Sequence, residues 1–354
     1  MSIPHAATPV VVGEEIPIEM NRVSFSRDRQ FLILCTSHGL SVVSCRSFKL
    51  VCKIETFPEP VLHADIASGT SLIAAVVGED SCLLQLFNAG TGEEILPTPL
   101  SMKSRIVGLK LNQKRVLVLT ETSLVILNVK SLQILQVIAR ADACKIPTCA
   151  SPLLTLSSTG EHGYAAFVSD SDCGVSLLDS FTLFQSAKNF PHTSALSALE
   201  LDIAGTLLAT ASTKGTLIRV FRVPSMEMVA VFRRGRSESP IKSLHLDSFL
   251  LSVTGESDTA HIFQLPLHLL QNPSLTEGST LSSPSVMGAA YQSVLNFFPR
   301  QYKDALEAIR DFAFVKLRNE GGFNYVCSCT FQFFVFHSSQ QCFRGAACGR
   351  TWWL

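Results

Sequence analysis

The chain has 354 residues, 47% of them hydrophobic and 16% charged, enough apolar side chains for a large core and too few charges for a chain disordered throughout. Lys+Arg and Asp+Glu both total 29, which leaves no net charge to attract nucleic acid non-specifically, so anion binding has to come from local clustering. No apolar run approaches the roughly 18 residues of a membrane-spanning helix, and the start, MSIPHAATPVVVGEE, lacks the basic region and apolar stretch of a secretory signal.

In chain order, residues 1–15 read as a disordered N-terminal segment. From residue 16 a short strand recurs behind a Gly/Ser/Thr/Asp turn: HGLSVVS, DSCLLQLF, ETSLVILNV, CGVSLLD, KGTLIRVF and DTAHIFQL. Their first apolar positions, Leu40, Leu83, Leu124, Val175, Leu217 and Ala260, are separated by 43, 41, 51, 42 and 43 residues, against a propeller-blade repeat of about 40–45. An upstream strand precedes each one (FLILC, SLIAAVV, RVLVLT, YAAFVS, TLLATAS, FLLSVTG), and several have a downstream companion (FKLVCKI, LQILQVI, MEMVAVF). Strand, turn, strand at a fixed period predicts four-stranded blades at 16–54, 60–97, 104–138, 147–188, 193–232 and 239–318. The expected fold is all-β, a seven-bladed WD40-like β-propeller over 16–340. Its seventh blade reads as incomplete or aberrant, because 320–354 offers two β-like runs and then an atypical tail at 341–354.

Cys35, Cys45, Cys52, Cys82 and Cys173 lie mostly inside apolar strands, as reduced thiols do, and not in a disulfide framework. Cys327, Cys329, Cys342 and Cys348 form a C-x-C followed by C-x5-C, which fits no structural zinc spacing. No nucleophile elbow, metal-ligand spacing or phosphate-cradling glycine loop appears, and His63, His162 and His245 read as strand or turn residues. Neither catalysis nor a cofactor is expected.

In the sixth blade, after HIFQLPLHLL, the pattern breaks over about 266–308. QNPSLTEGSTLSSPSVMG reads as a loop, and the following segment carries Tyr291, Val294, Leu295, Phe297 and Phe298. So long a loop in a compact blade calls for a function. The two readings are an amphipathic segment that enters a lipid headgroup boundary through Tyr291, Leu295, Phe297 and Phe298, and a short helix packed on the propeller side.

The run VFRRGRSE at 231–238 sets Arg233 directly beside Arg234 at a strand end. Neighbouring strand residues point to opposite faces, so the pair cannot serve one pocket. Either both are solvated charges guarding an edge strand, or each serves a different inter-blade cleft. Hydroxyls and histidines flank both clefts, and with a guanidinium they make an inventory for a phosphate. Arg236 reads as a solvated turn residue or an auxiliary contact.

The run AGTLLATASTKGTLIRVFRVPSMEMVAVFRRG resembles the fifth blade of the PROPPIN family, the WIPI or autophagy-related-18-type propellers, whose defining FRRG motif stands intact. The resemblance continues through DTAHIFQL and QSVLNFFPRQYKDALEAIRDFAFVKL. It implies two shallow sites for phosphatidylinositol 3-phosphate or the 3,5-bisphosphate. Arg233 would work with His192, Ser212, Lys214 and Thr216; Arg234 would work with Thr254, Ser257, Thr259 and His261. It also implies a role in autophagosome formation. The chain would be cytoplasmic and peripheral on preautophagosomal and endosomal or vacuolar membranes, with autophagy proteins such as a lipid-transfer partner on blades two and three. Lys110, Lys114 and Arg115 cluster there, with Gln113 where many relatives are basic. The competing reading is a protein-interaction WD40-type scaffold without lipid binding.

Overall fold

The computed structural model describes residues 20–140, 153–266 and 308–353, apart from 56, 58, 79, 97, 159–161, 169–172, 248, 257–258, 312, 317–322, 328–332, 338–342 and 348–349, and only the backbone from 313 onward. The first antiparallel sheet is β1 (Met20–Phe25), β2 (Phe31–Thr36), β3 (Gly39–Ser44) and β4 (Leu50–Ile54). The second is β5 (Val61–Ile66), β6 (Leu72–Val77), β7 (Leu83–Asn88) and β8 (Leu100–Ser101). The third is β9 (Ile106–Leu111), β10 (Arg115–Thr120), β11 (Ser123–Asn128) and β12 (Ile134–Ala139). The fourth is β13 (Leu154–Leu156), β14 (Tyr164–Val168), β15 (Val175–Asp179) and β16 (Phe184–Asn189).

The fifth sheet is β17 (Leu196–Leu201), β18 (Leu207–Ser212), β19 (Leu217–Arg222) and β20 (Glu227–Arg233). It is extended by β24 (Ile309–Arg310), which runs parallel to β20. The sixth comprises β21 (Ile241–Leu246), β22 (Leu250–Gly255), β23 (Thr259–Gln264) and β25 (Ala313–Lys316). These are the six blades of an all-β propeller, each a meander read outward in sequence order, in the places the repeat predicts. The insertion falls between β23 and β24.

After residue 320, where the sequence reading expects two runs, the backbone makes four strands: β26 (Phe323–Cys327), β27 (Phe333–His337), β28 (Phe343–Ala347) and β29 (Arg350–Trp353). β26 lies against β21 and β22. Among the described residues no helix is long and apolar enough to cross a membrane.

Middle strands pack on both faces and are buried almost throughout: β6 (LIAAVV) from its second residue on, and β18 (LLATAS), with its Thr210 and Ser212, over its whole length. Outer strands touch neighbours less, and β12 leaves Ile134, Leu135 and Val137 exposed. Turn residues close the hairpins with their own side chains. Asn112 Oδ1 accepts the Lys114 and Arg115 amides at 2.9 and 2.8 Å, and Asp202 Oδ1 accepts those of Thr206 and Leu207 at 2.6 and 3.0 Å. Between the fifth and sixth blades, Phe232 and Phe263 meet with ring centroids 5.3 Å apart, both fully buried. Burying each such side chain stabilises by about 1.5–3 kcal/mol.

Charged groups also join blades distant in sequence. Glu200 on β17 receives Arg27 at 2.6 Å and Arg29 at 2.7 Å, both from the β1–β2 turn. Arg27 also donates to the carbonyls of Leu201 and Asp202, and Arg29 meets His245 of β21. A single acidic residue thus ties the first blade to the fifth and sixth. Burial alone would raise the Glu200 carboxyl, but Arg27 and Arg29 hold it well below the ordinary carboxylate range.

Candidate functional site

Register fixes which side chains share a cleft. Residues paired across a ladder lie on one face, and alternation sends their neighbours to the other. In the fifth blade Ile218 pairs with Phe232 and Leu217 with Arg233. Phe232, Ile218 and Val220 pack with Ile241, Val253 and Phe263, so this face looks towards the sixth blade. Arg233 therefore lies on the opposite face, where Leu196, Leu199, Leu208 and Phe221 pack with Ala166 and Leu177 of the fourth blade. Arg234 continues the ladder, its amide donating to the Thr216 carbonyl at 3.0 Å, and alternates to the sixth-blade side. The two guanidinium-bearing residues diverge into different clefts, as the sequence pattern implies.

On the Arg233 face the ladder also carries Thr210, paired with Arg219, and Ser212 at the end of β18. His192 stands in this cluster, with Nε2 at 3.1 Å from Thr210 Oγ1 and Nδ1 at 2.8 Å from Arg219. It is buried, and burial first, then Arg219, pulls it down to about 3, so the ring stays neutral. His192 is thus a positioning group for Thr210 and Arg219. Arg219 is the residue the sequence reading passed over; counting alternation back from Arg233 through the hairpin would have found it on the same face.

Lys214 and Thr216 fall on the Arg234 side, unlike the grouping the resemblance implies. Their hairpin turn packs on the loop after the motif: the Ser239 amide donates to the Lys214 carbonyl at 3.0 Å, and Lys214 Nζ stands 3.6 Å from Glu238, both side chains exposed. At the tip of this turn Gly215 has φ +59, and a Cβ there would run into the Ser239 carbonyl. The turn therefore needs glycine both for its conformation and for the close approach. Arg234 is 6% exposed and donates from Nε to the Gly215 carbonyl and from a terminal nitrogen to the Ser237 carbonyl, each at 2.6 Å. Burial lowers its proton affinity, yet a guanidinium remains charged. This is neither a solvated edge charge nor a free anion fork, because part of the donor set clamps the backbone.

In the sixth blade Val253 pairs with His261 and Leu251 with Phe263. His261 and Thr259 consequently share the Arg234 cleft, with His261 Nδ1 held at 3.0 Å by Asp311 and its ring stacked on Phe263 at 6.4 Å. Thr254 pairs with Ala260 and faces the other way, towards β26. Its buried hydroxyl has no hydrogen-bond partner among the described residues. Alternation separates it from the cleft to which the resemblance assigns it. Ser257, Tyr291, Leu295, Phe297 and Phe298 lie outside the described residues.

The basic cluster of the third blade is engaged in inter-blade contacts. Lys114 Nζ sits 4.2 Å from the Phe181 ring centroid, and Arg115 donates to the carbonyls of Ser180 and Phe181 at 2.7 and 3.3 Å. Gln113 donates to the Ser68 carbonyl at 3.2 Å. Among the described residues no group of three metal-ligating side chains converges, and Cys35, Cys52 and Cys82 are free thiols.

A phosphate-sized anion has donors on either side of this strand end, and comparison with known proteins puts the pattern in a class. The PROPPIN family model matches residues 19–339, and the chain belongs to that family. Among similar proteins, WD repeat domain phosphoinositide-interacting protein 2 of Xenopus laevis is 31% identical, the match covering 87% of this chain and 70% of that protein. Autophagy-related protein 18 of Yarrowia lipolytica is 27% identical over 88% of this chain and 87% of its own length. Kluyveromyces lactis Hsv2 has a similar fold, with a TM-score of 0.65 at 16% identity over 93% of this chain and 92% of its own. KlAtg21, solved with the coiled-coil of AgAtg16, gives a TM-score of 0.68 at 19% identity over 95% of this chain and 98% of its own.

Proposed function

We propose that the chain is a phosphoinositide-reading membrane adaptor of autophagy, for phosphatidylinositol 3-phosphate and the 3,5-bisphosphate. The observation that carries this reading is the divergence of Arg233 and Arg234 into separate clefts. One cleft holds Arg233 with Arg219, Thr210, Ser212 and the positioning ring of His192. The other holds Arg234 with Lys214, Thr259 and His261. Of the relatives, the Xenopus protein is phosphoinositide-interacting by name and the Yarrowia protein autophagy-related by name, and the FRRG run is intact here.

Two shallow sites suit a membrane better than one. A basic side chain near an anionic surface contributes on the order of 1 kcal/mol, so one cleft binds weakly. Two clefts on a rigid rim engage two headgroups together and raise avidity by roughly 10²–10⁴. In the same reading the insertion meets the bilayer through Tyr291, Leu295, Phe297 and Phe298, and β26–β29 closes the ring as the seventh blade. The chain works in the cytoplasm, on preautophagosomal and endosomal or vacuolar membranes, and performs no catalysis. Its rim recruits autophagy proteins, a lipid-transfer partner on blades two and three among them, through contacts other than the engaged Lys114 and Arg115.

The backbone clamp made by Arg234 favours a second reading, a protein-interaction propeller that binds no lipid. Flotation with vesicles containing phosphatidylinositol 3-phosphate separates the two. The first reading requires binding by the full chain and its loss in the Arg233→Thr/Arg234→Thr variant, checked for folding by thermal melting. No binding by the unaltered chain, or equal binding by both, leaves the scaffold reading.

A further inference from the structure

Two serines follow the arginine pair, and the fold treats them differently. The loop from β20 to β21 is pinned at both ends. Arg234 donates to the Gly215 and Ser237 carbonyls, each at 2.6 Å. At the other end the Ser239 amide donates to the Lys214 carbonyl at 3.0 Å, and the Pro240 carbonyl accepts the Glu256 amide at 3.3 Å. Between these anchors Arg236, Ser237 and Glu238 are exposed, and a Cβ on Gly235 would meet nothing within 4 Å. The Ser239 hydroxyl, by contrast, is buried at the root of the loop. Arg233, Arg234 and Arg236 fill three of the four positions before Ser237, a charge pattern of the kind by which kinases select substrates. Side chains of this arch also reach the second cleft, where Glu238 stands 3.6 Å from Lys214 Nζ.

We propose that Ser237 is a phosphorylation site that closes the Arg234 cleft to lipid. This rests on the reading of that cleft as a headgroup site. The modification takes a serine kinase that selects for arginine before the serine, with a nucleoside triphosphate as donor. The Ser237 hydroxyl oxygen bonds to the γ-phosphorus as the bond to the departing nucleoside diphosphate breaks, and the hydroxyl proton passes to the kinase. The product adds about −1.5 to −2 charges and three acceptor oxygens. The Ser237 carbonyl already touches Arg234, so these oxygens arise within a side chain's length of that guanidinium, one residue from the carboxylate facing Lys214. They occupy cations that a headgroup would use, and they repel a second phosphate. The clamp itself survives, because it uses the backbone carbonyl and not the hydroxyl. The Arg233 cleft, on the other face of the blade, keeps its residues.

The test uses the full chain and Ser237→Ala, each treated with a panel of arginine-directed serine kinases and magnesium ATP and mapped by mass spectrometry. Phosphate is expected on Ser237 and not on Ser239. Treated and untreated chains are then titrated with the soluble headgroup of phosphatidylinositol 3-phosphate by calorimetry, and with vesicles carrying that lipid. Phosphorylation is expected to lower the headgroup stoichiometry from two to one per chain. It should weaken vesicle binding by on the order of 10²-fold, the low end of what a second linked cleft adds, and a phosphatase should restore both. Ser237→Ala is expected to melt with the unaltered chain and to keep its binding after kinase treatment. No phosphate on Ser237 of the folded chain, modification of Ser239 in its place, a stoichiometry that phosphorylation leaves unchanged, or an equal loss in treated Ser237→Ala would overturn the assignment. If the untreated chain binds neither headgroup nor vesicle, the headgroup reading itself fails and the switch with it. If it binds both, and the chain phosphorylated at Ser237 binds equally well, only the role of Ser237 falls.

Discussion

Arg234 Nε donates to the Gly215 carbonyl at 2.6 Å, which joins the second arginine of the motif to the hairpin turn of its own blade. Its terminal nitrogen bonds the Ser237 carbonyl at 2.6 Å. Arg234→Ala leaves two backbone acceptors without their charged donor. The expected cost is about 1–3 kcal/mol of stability. Denaturant unfolding of the unaltered chain and Arg234→Ala checks this; equal stabilities would show that Arg234 is no clamp. The cost matters for lipid binding, since a binding defect in Arg234→Ala has a folding component.

Gly215 offers a separate handle on the same loop. Its φ of +59 and the Ser239 carbonyl in the path of any Cβ make alanine unfavourable on two counts. Gly215→Ala should therefore shift the 235–240 loop and destabilise by about 1–3 kcal/mol. Hydrogen exchange at the Ser239 amide, which bonds the Lys214 carbonyl at 3.0 Å, should accelerate. Unchanged protection there would mean the loop is not seated by the turn.

The blades were readable because a turn residue before each β19-like strand recurs at a nearly constant interval, and burial on both faces makes the middle strands predominantly apolar. The divergence of Arg233 and Arg234 was readable for an equally local reason, alternation along one strand. What needed coordinates was anything decided between strands. Thr254 looked like a companion of His261 until the Thr254–Ala260 pair put it on the opposite face. Lys214 and Thr216 changed clefts because a turn leans on the following loop. Arg310 comes from across the insertion, and no local pattern predicts a parallel partner. The strands FRGAA and RTWW are too short and mixed to declare themselves.

The thiols of Cys35 and Cys45 are both pushed up to about 12, chiefly by burial, although Arg22 and Arg29 respectively pull the other way. The thiolate is the reactive form. At pH 8 a maleimide should label the partly exposed Cys82 well before either of them. Mass spectrometry of timed digests reads the order. Early labelling of Cys35 would place it in a far wetter or more open blade than its complete burial indicates.

Three histidines make the fold acid-sensitive. His192 is held down to about 3 by burial and then Arg219, His245 to about 4 by burial and then Arg29, and His63 to about 3 by burial and then Arg22. In the unfolded chain each titrates near 6.5. Between that value and the folded ones, the unfolded chain binds protons that the folded chain refuses. Stability therefore falls as pH falls through 6.5, by up to about 1.4 kcal/mol per pH unit for each residue. Glu200 acts in the same direction at lower pH. Its depressed carboxyl contributes stability that is complete above the unfolded value of about 4.3 and is lost as pH drops towards the folded one. Denaturant midpoints should decline from pH 7 to pH 5, and His192→Asn should lessen the decline by removing one of the three groups. A level profile across that range would mean that solvent reaches all three rings, and with it the dry packing that aims Thr210 and Arg219 into the first cleft would be lost.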